Sequence, residues 1–306
     1  MDIETIIKSL NKASHYEQPN QSNQSNQIIF KIPTKEQLIL MLLEEEKIRF
    51  SQEYISECND VALEPNGWLR VSAEKQYKVA RQFGFISEIE ADIAVNHMRR
   101  ARYLYPEEKL FQTIPVYVRN NLAEQCKYKV GDTIPNLMIH QLNTQLVNLY
   151  DTFDSNKINI LIASSHTWQP FRANVELIKH VASTFVNKIN IVFVYISEAH
   201  AVDVWPIGMS AGTLNYKHKT IEDRFKCASK FMSEYNLDSN IKTYLDSIDN
   251  VLQNELSAWP FRYYIIDRIM SETDNDCSDT NIYKFKYIPN PSDSEFNLEE
   301  LFKQIE

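Results

Sequence analysis

Between residues 34 and 128 apolar positions return every three or four residues, and from Val130 onward they gather into short continuous runs. The first spacing is that of amphipathic helices and the second that of buried strands alternating with helices. Thr34 can cap a helix over 35–57, with Leu38, Leu42 and Ile48 on one side. Ser72 opens a second helix through Phe83, stopped by Gly84. A third spans 88–103, with Ile89, Ile93, Ala94, His97 and Ala101 at helical intervals, and a fourth spans 114–123. After Val130, Leu137, Ile139 and Leu142 suit a first strand, and 158–163 and 189–196 read as strands buried on both faces. Helices are predicted at 171–186, 220–235, 248–256 and 298–304, and further strands at 242–245, 263–267 and 283–288. A β-α-β unit followed by a helix and antiparallel strands is an α/β sandwich of modest size.

The polar tract 17–27, rich in Asn, Gln and Ser, has nothing to bury. The chain therefore divides into a segment 1–33 expected to be disordered, an α-helical domain 34–128 and an α/β domain 129–306.

Composition narrows the function. Hydrophobic residues make up 43% of the 306, enough for a sizeable core in each domain. A net charge of −9 gives no attraction to a polyanionic backbone or an anionic bilayer, so neither nucleic acid nor membrane is an expected partner. With five glycines there is no glycine-rich phosphate loop. Cys58, Cys126, Cys227 and Cys277 are scattered, which excludes a Cys-x-x-Cys dithiol or zinc knuckle and fits a reducing compartment. The acidic start, Met1-Asp2-Ile3-Glu4, lacks a signal-peptide layout, and the apolar run 38–43 is too short to span a bilayer. These features predict a soluble, cytoplasmic protein.

Four segments carry chemistry. Ser164-Ser165-His166-Thr167-Trp168-Gln169-Pro170-Phe171 follows the first buried strand, and Tyr195-Ile196-Ser197-Glu198-Ala199-His200-Ala201-Val202-Asp203-Val204-Trp205 follows the second. His218-Lys219-Thr220-Ile221-Glu222-Asp223-Arg224 opens the next helix, and Ser257-Ala258-Trp259-Pro260 precedes a strand. In this order, after the lead-in Val130-Gly131-Asp132-Thr133-Ile134-Pro135, they resemble the thioredoxin-fold catalytic domain of the iodothyronine deiodinases. The family's active loop reads Gly-Ser-Cys-Thr-Sec-Pro-Pro-Phe, so Trp168 stands at the selenocysteine position and His166 at a cysteine. The block from Arg99-Arg100-Ala101-Arg102 to Arg119 resembles the N-terminal extension of microbial deiodinase-like proteins, where animal members carry a membrane anchor.

The resemblance implies a thioredoxin-like α/β sandwich behind an α-helical N-terminal domain. It implies reductive removal of iodine or another halogen from an aromatic substrate, no bound cofactor, an external thiol reductant and a homodimer. It assigns Trp168 (the selenocysteine position), Glu198, His200, Tyr195 and Thr167 to catalysis, and Ser165, His166, His218 and Pro260 to substrate binding, with Pro260 expected in the cis form facing the loop. A chalcogenide at 168 would sit at a helix N-terminus, where backbone N–H groups and the helix dipole favour negative charge. A carboxylate, an imidazole and a phenol could then relay the proton that replaces the halogen. Glu198 and His200 share a face if the chain stays extended past its strand.

Trp168 breaks this scheme, because an indole is not a nucleophile and no cysteine lies close in sequence. Selenocysteine is encoded by UGA, one base from the Trp codon UGG, so the tryptophan is either a translation of UGA or genuine. A genuine Trp168 makes the chain a catalytically inactive, thioredoxin-like binding module. A peroxiredoxin-like thiol oxidoreductase would need a cysteine on the loop. Blander readings stand beside the sharp ones. His166 meets solvent or backbone, and Ser165 and Thr167 order their loop. Asp203 and Trp205 fold theirs, and Glu222, Asp223 and Arg224 combine a helix start with a salt bridge. A metal set of His166, Glu198, His200 and Asp203 is the weakest reading. Arg99, Arg100 and Arg102 complement a helix dipole before they bind an anion.

Overall fold

The computed structural model describes residues 30–237, 239–269 and 282–290. The polar tract 17–27, the closing helix at 298–304 and Cys277 lie outside the described residues. The chain divides into two units, Met1–Asn120 and Asn121–Glu306.

The first unit is helical. Its helices are α1 (Lys35–Arg49), α2 (Gln52–Asp60), α3 (Gly67–Gln82), α4 (Glu88–Leu104) and the single turns α5 (Leu110–Thr113) and α6 (Val116–Arg119). Thr34 caps α1 in a capping box with Gln37, as the sequence predicts. The predicted helix over 35–57 is instead two, because the Ser51 hydroxyl accepts the Tyr54 N–H and starts a new helix. Ser72 is not a cap. It lies inside α3, and its hydroxyl donates back to the Trp68 carbonyl at 2.7 Å. On α4 the buried face is Ala91, Ala94, Val95, Met98 and Ala101, whereas Ile89 is exposed. Pro115, which has no N–H to donate, separates α5 from α6, and the predicted helix over 114–123 is reduced to one turn. Leu38, Leu42, Val79, Ala94, Met98 and Phe111 share one core. Arg99 donates to Gln76 at 2.8 Å and Arg102 packs over Tyr103, so neither forms an anion site with the other.

The second unit is built on one seven-stranded sheet. Its strands are β1 (Met138–His140), β2 (Leu146–Asn148), β3 (Ile158–Ser164), β4 (Ile189–Tyr195), β5 (Ile241–Leu245), β6 (Phe261–Ile269) and β7 (Ile282–Tyr287), in the order β2-β1-β5-β4-β3-β6-β7. β3, β4 and β5 are parallel, β6 runs antiparallel to β3, and β7 runs antiparallel to β6. This is the thioredoxin-like arrangement. The helices α7 (Gln169–Thr184), α8 (Ile221–Glu234) and the short α9 (Val251–Glu255) connect the strands. Phe171, Val175, Ile178 and Val181 put one stripe of α7 onto Ile160, Ile162, Ile191 and Phe193 of β3 and β4.

α9 starts later than predicted because Asn250 takes a left-handed conformation at φ 58° that a helix interior does not allow. The lead-in has a structural use. Gly131, at φ 95°, donates its N–H to Phe285 O at 2.8 Å, and Ile134 donates to Tyr283 O at 3.0 Å, covering the outer edge of β7. Among the described residues no helix is long and apolar enough to cross a membrane.

Candidate active site

Strand register brings three loops to one point. Ser164, the last residue of β3, lies opposite Tyr195 at the end of β4 and opposite Phe261 at the start of β6. Its hydroxyl donates to the Pro260 carbonyl at 3.1 Å, and the Trp259–Pro260 peptide is cis, as expected. The chain then turns through 165–168, with the Trp168 N–H reaching Ser165 O at 3.4 Å, and enters α7 with Trp168 as its N-cap. Pro170 suits the first turn, where its missing N–H has no helical partner to lose.

Glu198 is the hub of the site. Its Oε2 accepts the Thr167 N–H at 3.1 Å and the Thr167 hydroxyl at 2.7 Å. Its Oε1 accepts the Tyr195 hydroxyl at 2.5 Å and the Asn215 amide at 2.8 Å. The His218 Nε2 stands 3.4 Å from the same oxygen. Burial alone would raise this carboxyl, but His218, Tyr195 and Thr167 together hold it down at about 2. Burial first, and Glu198 second, push the Tyr195 phenol well above its ordinary value. The Tyr195 oxygen also accepts the His166 N–H at 3.0 Å, so the loop is tied to Glu198 at two successive residues.

His200 reaches the loop differently from the expectation. The chain does not stay extended past β4 but turns at 199–200. The His200 N–H donates to Thr167 Oγ1 at 3.1 Å, while its ring stacks on Trp168 (5.9 Å between centroids, 13°) and meets the edge of Trp205. Burial lowers its imidazole to about 4, against the opposing pull of the Trp205 backbone. His166 is buried rather than facing solvent. Its ring packs edge-on against Phe231 and Tyr235 with Nε2 3.4 Å from Glu234, and burial lowers its pKa. Ser165 is buried beside it, with no hydrogen-bond partner for its hydroxyl among the described residues.

The structure therefore brings Thr167, Trp168, Tyr195, Glu198, His200 and His218 together, with Pro260 behind the loop. Asp203 stays outside, accepting the Lys217 N–H at 2.8 Å, so the metal set that included it does not form. A different set does converge. Ligand-type atoms of Glu198, His218 and Cys227 lie within 4.8 Å of one another. The Arg224 Nε–H donates to His218 Nδ1 at 3.2 Å, and a guanidinium can only donate, so the imidazole proton sits on Nε2. His218 thus turns an N–H, not a lone pair, toward that cluster, which does not suit a metal ion.

Arg224 was expected in a salt bridge. It is instead buried and also donates to the carbonyls of Asp246 and Ser247 and to Asn250 Oδ1, while Asp223 closes a capping box with Thr220. Four contributors were not foreseen: Arg172, Asn215, Arg224 as a holder of His218, and Cys227. Cys227 is 59 residues from Trp168 in sequence, and only the packing of α8 brings it to Glu198. Burial and Glu198 push its thiol up to about 12, so it is no substitute nucleophile at neutral pH.

Residues 91–276 match the iodothyronine deiodinase family. A type I iodothyronine deiodinase from Xenopus laevis is 26% identical over 137 residues, 45% of this chain and 52% of that protein. A thyroxine 5-deiodinase from Gallus gallus is 30% identical over 138 residues, with the same coverage of 45% and 52%. The chain thus spans about half the length of these relatives. Among solved structures, the thioredoxin domain of a thiol-disulfide oxidoreductase from Bacteroides vulgatus aligns at 13% identity over 59% of this chain and 100% of its own, with a TM-score of 0.36.

Proposed function

The chain belongs to the iodothyronine deiodinase family, and we propose that it reductively removes iodine or another halogen from an aromatic substrate, with selenocysteine in the native protein where this sequence carries Trp168. The observation that supports this reading most is the Glu198 hub, which grips Thr167, the residue next to position 168, by both its N–H and its hydroxyl. The surroundings of the indole support it too. Among the described residues the Trp168 Nε1–H is buried without an acceptor. A buried donor left unpaired costs about 1–3 kcal/mol. The stack on His200 returns about 0.5–1.5 kcal/mol, less than the upper end of that cost.

In this reading a selenolate at 168 attacks the halogen. A selenium–halogen bond forms, the carbon–halogen pair stays on the ring carbon, and that carbon takes a proton. Two equivalents of an external thiol then restore the selenolate, releasing halide and a disulfide. Glu198, held at about 2, is an anion at neutral pH and gathers hydrogen bonds rather than supplying its own proton. Thr167 Oγ is the relay member nearest position 168. It stands in the hydrogen-bond chain that runs through Glu198 to Tyr195, and water is the net source of the proton that the ring carbon takes. His200, held at about 4, is neutral and serves as a flat aromatic wall.

The test is iodide release from an iodinated phenol with dithiothreitol, comparing the Trp168 chain with its selenocysteine form. The selenocysteine form is expected to turn over, and the Trp168 chain to match a no-protein control. Glu198→Ala and His200→Ala should each slow the active form about tenfold or more while it stays folded. A selenocysteine form no faster than the control overturns the reading. The flat Trp168–His200 stack favours the second reading, a non-enzymatic thioredoxin-like binding module, which would then remain.

A further inference from the structure

Arg172 takes no part in the hydrogen-bond hub, yet it holds the active loop at His166. It lies one helical turn after position 168, in the first turn of α7, and its own N–H bonds Trp168 O at 3.2 Å. Its guanidinium donates to three backbone carbonyls: His166 at 2.8 Å, Ala211 at 2.6 Å and Ser210 at 3.0 Å. Among the described residues no carboxylate forms an ion pair with it. The opposite wall is shaped to admit it. Gly212, at φ 77°, stands where an added Cβ would come within 2.6 Å of the Arg172 guanidinium carbon.

A cation held by carbonyl dipoles keeps more of its field than one locked in an ion pair, and here it works against the nearby charges of Glu234 and the buried Glu198. The N-terminus of α7 points the same sign of field at the same place. The charge is felt at the site, since Arg172 is among the groups that disfavour a proton on His200.

We propose that Arg172 is a positioning residue: it ties the 208–212 turn to the active loop and supplies the positive field that favours an anion at position 168. The proposal rests on the reading of 168 as a chalcogen position. Its test does not require turnover, so the two can fail separately.

The probe is the Trp168→Cys chain, with the new thiol titrated by thiolate absorbance as a difference against the parent chain. Its thiol is expected below the ordinary cysteine value of about 8.5. Arg172→Lys, which keeps the charge, should leave it within about half a unit. Arg172→Gln and Arg172→Met should raise it by about one unit, roughly a tenfold loss of thiolate near neutrality. Gly212→Ala, which pushes the guanidinium aside without removing it, should also raise the value and serves if the Arg172 variants do not fold. A titration unchanged by the loss of charge in a folded variant overturns the proposal. So does an equal rise in Arg172→Lys, which would reduce Arg172 to a packing residue. A low thiol that depends on Arg172 in a chain whose selenocysteine form releases no iodide would sustain this proposal while sinking the dehalogenase reading.

Discussion

His200 is the residue where burial has the clearest measurable consequence. Its imidazole is held at about 4 against an ordinary 6.5. The unfolded chain therefore binds more protons than the folded one between those two values, and stability falls as pH drops from 6.5 toward 4. Two to three units at about 1.4 kcal/mol each amount to about 3 kcal/mol. His166, lowered by its own burial, acts in the same direction. Glu198 adds a lower window, since its carboxyl, held at about 2, contributes stability that is complete above 4.5 and is lost as pH falls toward 2. His200→Phe keeps a ring between Trp168 and Trp205 and removes the proton site. Urea midpoints between pH 6.5 and 4 should decline less in this variant than in the parent, and equal declines would show that His200 is not held neutral by the fold. At this scale the sequence was informative where it carried motifs: Thr167, Tyr195 and Glu198 were each assigned from short segments and each is at the hub. It was silent on Arg172 and Asn215, because their roles come from carbonyls and a carboxylate that folding brings from distant segments.

Among the elements, buried strands were the easiest to read. β3 and β4 are continuous apolar runs because both of their faces are covered, and they appear within a residue of the predicted bounds. The helices of the first unit were harder, because a local side-chain bond decides between continuation and restart. Ser51 ends one helix and caps the next, whereas Ser72 bonds backward and interrupts nothing. α8 matters most for the site, since it carries both Arg224, which fixes the His218 tautomer, and Cys227. Its start depends on the reciprocal bonds between Thr220 and Asp223. Thr220→Ala should cost about 1 kcal/mol in denaturant unfolding. A loss within error of zero would mean that packing of Phe231 and Ala228, not the cap, decides where α8 begins.

On the scale of the whole chain, each unit has its own core, and the candidate chemistry gathers in the second, where the ends of β3 and β4 meet the start of β6. The parallel register makes this meeting inevitable: once Ser164 lies beside Tyr195, the turn after one strand must lie against the turn after the other. That much follows from two apolar runs and a right-handed crossover. What the register cannot supply is the reactive atom that the proposed function places at position 168. The most direct test is the mass of the tryptic peptide 158–172 in protein purified from its natural source. Selenocysteine at 168, with the isotope pattern of selenium, is the expected result, and a tryptophan mass at that position contradicts it.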